Sequence, residues 1–202
     1  MTARAGAGWT GEAPELTDSV IRLRAWSADD APFVFAACQD PEIQRWTRVP
    51  VPYTEADAAV FTDGFARAVW ADRSGLALAV TDAGTGAPLG AVGVVAADHE
   101  HGVAELGYWI ASELRRRGTA RRALSLLRDW CGGPGGFHRI ELPIERENVA
   151  SQAVARRVGF RCEGILRGRM IHRGTRRDIA LWAWCEGDGD GDADGDADTD
   201  RP

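Results

Sequence analysis

The sequence contains no lysine; all 24 of its basic residues are arginine. That absence excludes reactions that proceed through a lysine Schiff base, and it excludes a Walker-type phosphate loop, whose lysine binds the phosphates. Cysteine is scarce, and no two of the four cysteines form a C-x-x-C pair. Their wide spacing argues against a disulfide framework or a metal site and predicts reduced, buried thiols at Cys38, Cys131, Cys162 and Cys185.

Long apolar stretches are also absent. No run of residues approaches the roughly 18 needed to span a bilayer, and the N-terminus has no apolar signal-peptide core. These absences predict a cytoplasmic protein with no membrane partner. The formal charge of −6 is concentrated in residues 186–202, which carry Glu186 and seven aspartates against Arg201. The rest of the chain has a formal charge of +1, too little for the basic surface that direct nucleic-acid binding needs.

The chain has the length of one domain of ordinary size. Residues 1–14 are rich in Gly and Ala without periodicity and predict a disordered extension, and residues 186–202 predict a disordered acidic Gly/Asp tail. The folded domain is expected over residues 15–185. Its pattern predicts strands over residues 18–25, 75–81, 87–97, 103–110, 138–143, 161–171 and 177–185. Helices are predicted over residues 28–38, 55–72 and 118–130, and two further helices are predicted to begin at residues 41 and 149. This order indicates an α/β fold with a mixed, mostly antiparallel sheet.

The most informative segment runs from Ala104 to Ala120. A strand reading Glu-Leu-Gly-Tyr-Trp-Ile is followed by a turn with three arginines and Gly118, and then by an amphipathic helix. The first N–H groups of a helix have no partner within it, and the helix dipole adds positive charge there, so such an end binds phosphates. The segment therefore predicts a site for a ligand that carries phosphate.

These residues resemble the GNAT acyltransferases, whose acetyl-CoA pyrophosphate signature reads Gln/Arg-x-x-Gly-x-Gly/Ala. Arg115-x-x-Gly118-x-Ala120 matches it, and the strand Glu105–Ile110 is similar to that of the branch containing ribosomal-protein N-terminal acetyltransferases. Further similarities are Asn148-Val-Ala-Ser151 with Gly159-Phe160, the opening Ile21-Arg-Leu-Arg, and Pro52-Tyr53-Thr-x-x-Asp57. The resemblance covers residues 18–185.

The resemblance implies acetyl-CoA in a V between two parallel strands, here residues 103–110 and 138–143, with helices on both faces of the sheet. The implied cosubstrate-binding residues are Tyr108, Trp109, Ile110, Arg115, Arg116, Arg117, Gly118, Thr119, Ala120, Asn148 and Ser151. Of the neighbours Tyr108 and Trp109, one is expected to pack in the core and the other to line the cleft. Ile110 marks the region expected to supply a backbone donor to the oxyanion.

Acetyl transfer to an amine needs a base for the ammonium and a proton for the departing thiolate. Glu105 is the candidate base, although a structural ion pair with an arginine explains it equally well. Many GNAT enzymes carry a tyrosine acid seven residues after the asparagine, but that position here is Ala155. Ser151 is therefore the candidate partner of the thiolate, unless Asn148 and Ser151 only cap their helix.

The implied activity is acetyl-CoA-dependent N-acetylation of a protein or peptide α-amine, with Trp46 and Tyr53 shaping the acceptor site. Two alternatives stay open. One is acetylation of an aminoglycoside, polyamine or amino acid, which an acidic pocket would favour; Asp40, Glu42, Glu55 and Asp57 could contribute to it. The other is a non-catalytic acyl-CoA-binding module. A monomer or a homodimer is expected.

Overall fold

A computed structural model describes residues 8–188. Its centre is one eight-stranded sheet in the order β1-β2-β3-β4-β5-β6-β8-β7. The only parallel pair among these strands is β5 with β6. The strands are β1 Leu16–Thr17, β2 Ile21–Ala25, β3 Leu76–Asp82, β4 Pro88–Asp98, β5 Val103–Ile110, β6 Arg139–Glu145, β7 Arg161–His172 and β8 Thr175–Cys185. The α/β class and the mixed sheet predicted from the sequence are confirmed.

Helices cover both faces of the sheet. They are α1 Ala31–Ala37, α2 Pro41–Trp46, α3 Glu55–Ala59, α4 Ala66–Ala71, α5 Thr119–Gly132 and α6 Val149–Arg157. A π-helical stretch, Val60–Phe65, joins α3 to α4, so the single helix predicted over residues 55–72 is continuous but not uniformly α-helical. One core lies between the sheet and α5 with α6, and a second lies between the sheet and α1 to α4.

Local capping chemistry explains where several helices begin. The Thr54 side chain accepts from the N–H of Asp57 while the Asp57 carboxylate accepts from the N–H of Thr54, a reciprocal pair at the start of α3. Asn148 caps α6 by accepting from the N–H of Ser151 at 3.1 Å. These residues satisfy the N–H groups that a helix leaves without partners, so the helix starts could be read from the sequence.

The predicted disordered extension does not agree with the packing from Gly8 onward. Trp9 is only 3% exposed, and its Nε1 donates to the carbonyl of Gly135 at 3.1 Å. Its ring stacks on Trp70 at 5.0 Å between centroids. A single tryptophan supplies enough apolar area to hold this segment against the core, although the neighbouring residues show no periodic pattern. Residues 1–7 of that prediction lie outside the described residues.

The C-terminal segment differs from its prediction in part. Asp188 accepts a hydrogen bond from the N–H of Cys185 at 2.9 Å, so the described chain continues in ordered form three residues past β8. The remainder of the predicted tail, residues 189–202, lies outside the described residues. The four cysteines are free, and Cys38 and Cys131 are buried as predicted. Cys162 is exposed instead, because β7 forms an edge of the sheet.

No helix between residues 8 and 188 is long and apolar enough to cross a membrane.

Candidate active site

The sheet opens between β5 and β6. Their parallel pairing covers three residue pairs, ending at Glu105 with Glu141, although both strands continue. On its other edge, β5 pairs with a β-bulge in β4. There Val95 is an extra residue opposite Glu105 and Leu106. Such a bulge bends the paired strands. A Cβ at Gly107 would lie 2.8 Å from Val95 Cγ2, so the glycine makes room for this bulge. The unpaired arm of β5 is therefore open to a ligand.

A cleft of about 1920 Å³ surrounds this opening. It brings together all the site residues predicted from the sequence except Arg117, which is exposed but does not line it. The lining residues among them are Trp46, Tyr53, Glu105, Tyr108, Trp109, Ile110, Arg115, Arg116, Gly118, Thr119, Ala120, Asn148 and Ser151.

The loop before α5 has the geometry of an anion site. Gly118 precedes the helix with φ 81° and no side chain caps the helix start, so the first N–H groups stay available. Arg116 also has a positive φ, of 64°. Arg116 and Arg117 are exposed and make no hydrogen bond or ion pair with any residue in the range 8–188. Backbone donors and the helix dipole thus coincide at this loop, and Arg116 beside them lines the cleft.

Arg115 is held differently from its two neighbours. Its Nη2 lies 2.5 Å from Asp40 Oδ2, and its Nε donates to the carbonyl of Ile110 at 2.9 Å. The side chain therefore ties the end of β5 to the turn between α1 and α2. Its contact with phosphate stays a prediction, and Ile110, at the end of the open arm, stays a predicted backbone donor.

On the face of the sheet that packs against α5 and α6, Tyr108 meets Ser151. The two hydroxyl oxygens are 2.8 Å apart, and Asn148 holds the main chain of Ser151. Burial raises the pKa of Tyr108 to about 12, against a weaker lowering by the Ser151 hydrogen bond, so the phenol is protonated at neutral pH. A fixed pair of hydroxyl groups thus lies beside the opening, where it can donate to an anion.

Trp109 faces the other way, into the core under α1 to α4. Its ring stacks on Phe33 at 6.1 Å and on Trp26 at 6.5 Å between centroids. Tyr108 packs against the opposite core and Trp109 against this one, and both also line the cleft. The prediction that one of them packs and the other lines the cleft is therefore wrong, since each does both at the boundary between core and opening.

The candidate acceptor residues differ in exposure. Tyr53 is buried, and burial raises the pKa of its phenol, with smaller contributions from Cys38 and Asp57. Trp46 is half-buried, and its Nε1 donates to Glu42 at 2.9 Å. The arginine beside it, Arg45, lies over its ring at 4.4 Å. Tyr53 is therefore a buried part of the cleft wall, whereas the half-buried Trp46 ring is accessible from the cleft.

Carboxylates line the cleft on the face turned toward α2. Glu105 and Glu141 are partners on neighbouring strands, and alternation along β6 turns Glu145 to the same side. Arg48 Nη2 binds Glu105 at 2.9 Å, and Arg139 Nε binds Glu141 at 2.6 Å. The candidate base and the Tyr108–Ser151 pair thus lie on opposite faces of the sheet, with the opening between them.

Sequence reasoning missed the pair formed by Glu145 and His172. Both side chains are buried in the cleft wall, and His172 Nδ1 lies 2.5 Å from Glu145 Oε1. Its Nε2 contacts the carbonyl of Thr47 at 3.1 Å. The sequence places His172 in a turn, and nothing local predicts burial there. The contact joins the end of β7 to the end of β6, which lie on either side of β8 in the sheet.

Comparison with known proteins agrees with this geometry. The family model for the acetyltransferase (GNAT) domain matches residues 21–161, and the chain belongs to that family. It is 28% identical over 167 residues to the uncharacterized N-acetyltransferase YoaA of Bacillus subtilis, covering 83% of this chain and 93% of that protein. The chain is an N-acetyltransferase, and acetyl-CoA is its cosubstrate.

Solved structures show the same fold. Mycobacterium smegmatis RimJ in complex with CoA-disulfide superposes with a TM-score of 0.78 at 27% identity, covering 92% of each chain. A GCN5-related N-acetyltransferase from Brucella melitensis superposes with a TM-score of 0.74 at 26% identity, covering 89% of this chain and 81% of that one.

The residues present fit acetyl-CoA. The open arm of β5 has main-chain groups free to pair with an extended pantetheine, and the loop before α5 offers uncapped N–H groups to a pyrophosphate. The cleft connects the two places. The distance from Glu105 to Ile110 along β5 is about 16 Å at roughly 3.3 Å per residue, so the arm spans a substantial length of an extended chain.

Proposed function

We propose that this enzyme acetylates a single primary amine, the N-terminal α-amine of a protein or peptide, by direct attack in a ternary complex. The observation that carries the proposal is the state of the acids lining the cleft. Each of the five already has a partner within the described chain: Glu42, Asp57, Glu105, Glu141 and Glu145. A polyamine or aminoglycoside binds through several cations and would have to displace several of these partners at once, whereas a single α-ammonium has to displace only Arg48 from Glu105.

The other acids considered for a polycation site do not supply it. Asp40 is occupied by Arg115, and Glu55 does not line the cleft. The similarity to RimJ makes ribosomal-protein N-termini the first acceptors to test. We expect the enzyme to act in the cytoplasm as a monomer or homodimer.

Glu105 is the proposed base. It takes the proton of the acceptor ammonium, directly or through water, so that the amine nitrogen can attack the thioester carbon. A C–N bond forms to give a tetrahedral intermediate; as it collapses the C–S bond breaks, the electron pair of that bond leaves on sulfur, and the second proton lost by the nitrogen is taken up by the thiolate to give free CoA. Backbone N–H groups along the open arm of β5 stabilise the oxyanion before it collapses.

Ser151 is the proposed donor to the departing thiolate. Its hydroxyl lies at the opening, and Tyr108 holds it in position by a 2.8 Å hydrogen bond from the adjoining strand. Because the phenol keeps its proton at neutral pH, Tyr108 can donate to Ser151 while Ser151 donates to sulfur. This arrangement takes the place of the tyrosine that many GNAT enzymes carry at the position of Ala155.

The test is an acceptor comparison with acetyl-CoA. Peptides with a free N-terminus, the same peptides blocked at the N-terminus but carrying a lysine, a polyamine and an aminoglycoside are assayed by thiol release and mass spectrometry. We expect acetylation at the free α-amine. Acetylation of the polyamine or aminoglycoside, with none at peptide N-termini, would contradict the proposal.

A further inference from the structure

Arg48 covers the carboxylate that the acceptor amine has to reach. Its Nη2 lies 2.9 Å from Glu105 Oε1, although the two residues are 57 positions apart in the chain. The Arg48 side chain is 67% exposed, whereas that of Glu105 is 30% exposed. Glu141, the neighbouring carboxylate, receives its arginine from its own strand. Glu105 is thus paired by a side chain that extends across the cleft from the segment after α2.

The main chain on both sides of Arg48 is fastened to the tip of the β7–β8 hairpin. The carbonyl of Thr47 accepts from His172 Nε2 at 3.1 Å. The carbonyl of Val49 accepts from Arg173 Nη2 at 3.1 Å, and this guanidinium also binds the carbonyl of Gln44. The Cα position of Arg48 is therefore held, while its side chain stays free to rotate into solvent.

His172 also binds a buried carboxylate of the cleft wall. Both of its ring nitrogens face groups that accept hydrogen bonds, the Glu145 carboxylate and the Thr47 carbonyl. Arg177 Nε lies 3.6 Å from the second oxygen of Glu145. The buried contact between His172 and Glu145 thus holds the segment that carries Arg48.

For Glu105 to act as the proposed base, an acceptor ammonium has to take the place of the Arg48 guanidinium at its carboxylate. The exchange is feasible because an exposed ion pair contributes little free energy. It leaves Arg48 without an anion, with its backbone held next to the reacting amine. An acceptor carrying a carboxylate close to that amine supplies the missing partner, whereas an acceptor with a second cation there faces the displaced guanidinium.

We propose that Arg48 is a specificity-determining residue, which pairs with Glu105 in the free enzyme and selects acceptors that bear a carboxylate close to the reactive amine. For a peptide, that means an acidic residue at the second or third position. This inference rests on the proposed function, N-terminal acetylation, and narrows its substrate class.

The experiment uses three peptides of equal length, identical except at positions two and three, which carry Asp, Asn or Arg. Their kcat/KM values are compared for the intact enzyme, for Arg48→Gln and for Arg67→Gln. Arg67 is a matched control, since it is an exposed arginine in an ion pair with Asp63 and does not line the cleft. Calorimetric titration of each peptide into the enzyme–CoA complex measures binding independently of turnover.

We expect the intact enzyme and Arg67→Gln to prefer the Asp peptide over the Asn peptide by roughly tenfold, the scale of one charge-assisted hydrogen bond. In Arg48→Gln this ratio falls to about one, and discrimination against the Arg peptide weakens with it. Titration of acetyl-CoA into Arg48→Gln confirms that the variant is folded.

Three results would overturn the inference. Equal kcat/KM and equal binding for Asp and Asn peptides in the intact enzyme contradict it while leaving N-terminal acetylation intact, and so does a preference that survives in Arg48→Gln. If no peptide binds or is acetylated while a small amine is, both the inference and the proposed function fail.

Discussion

The hydroxyl of Tyr108 lies 2.8 Å from that of Ser151, joining the open strand β5 to the first turn of α6. This contact links the two sides of the cleft at the place where the proposed thiolate leaves. In the proposed mechanism, the proton-donating side of the reaction belongs to residues on two different elements, neither of which is the tyrosine position usual in the family.

Removal of either hydroxyl is expected to slow the chemical step. Ser151→Ala should lower kcat by about 100-fold and Tyr108→Phe by about tenfold, because one donates to sulfur and the other orients the donor. Effects of residues in one network are not additive, so the double variant should resemble Ser151→Ala alone. Burial raises the pKa of Tyr108 to about 12, so the phenol stays protonated over the range of an ordinary pH–rate profile. The intact enzyme and Tyr108→Phe should therefore show the same dependence of rate on alkaline pH. Additive losses of kcat in the double variant would show that the two hydroxyl groups act independently and not as one network.

Glu105→Gln should lower kcat by at least about 100-fold while the affinity for acetyl-CoA changes little, since the base acts on the acceptor side of the sheet. Glu141→Gln is the matched control, because Glu141 is the register partner of Glu105 but is bound by Arg139. Pre-steady-state rates separate the chemical step from product release. Equal losses in the two variants would show that Glu105 acts through local structure and not as the base.

The arginines before α5 should separate into binding and structural residues. Arg116→Ala combined with Arg117→Ala should raise the Kd for acetyl-CoA by roughly tenfold or more, because both guanidinium groups are free to reach phosphate. Gly118→Ala should also weaken binding, because φ of 81° is strained for alanine by about 1 kcal/mol. Calorimetric titration measures both effects.

Arg115→Ala should instead reduce the free energy of unfolding, by about 2 kcal/mol, because it leaves Asp40 and the carbonyl of Ile110 without their donor. Chemical denaturation checks this change. A large loss of acetyl-CoA affinity with unchanged stability would show that Arg115 acts on the ligand directly.

Acid should destabilise the protein partly through Asp30. Burial raises the pKa of this carboxyl, but hydrogen bonds from Arg24 and from the N–H of Ser27 outweigh it, so the folded-state pKa is lowered. The stabilisation is therefore complete above the unfolded pKa of about 3.9 and is lost as the pH falls through the folded value. At neutral pH, Asp30→Ala should cost about 3 kcal/mol, because it leaves Arg24 partly buried and unpaired.

Asp63→Ala is the control for that measurement. Its carboxylate pairs with Arg67 on an exposed helix face, and such pairs contribute about 0.5 kcal/mol or less. Denaturation curves recorded at pH 7 and at a pH well below the unfolded pKa of about 3.9 should show the difference between the two variants shrinking in acid. A constant difference would mean that Asp30 acts through packing and not through its charge.

Trp9→Ala should cost about 3–5 kcal/mol of unfolding free energy, the range for a buried tryptophan replaced by alanine. Trp9 packs against Trp70, Trp130 and Phe137, so its loss leaves a cavity at the edge of the main core. Val60→Ala is the comparison, because Val60 is 64% exposed and should change stability little. A loss below about 1 kcal/mol for Trp9→Ala would show that the N-terminal segment contributes little to the fold.

Several elements could be predicted from the sequence because their causes are local. The strand over residues 103–110 agrees with β5 Val103–Ile110, and the alternation of its side chains was visible in the sequence. The start of α5 after Gly118 and the cap of α6 at Asn148 agree as well. Capping, turn chemistry and periodicity act within a few residues, so one sequence suffices to read them.

The sequence by itself determined the family signature, the order of elements and the place of the arginine-rich loop before α5. Only the tertiary structure decided which side chains meet: Arg48 with Glu105, His172 with Glu145, and Arg115 with Asp40 instead of standing free beside its neighbours. These pairs are separated by 27 to 75 residues, and they join elements that only the packing of the whole chain brings together. Contacts at that range depend on strand register and packing of the whole chain, which no local pattern records.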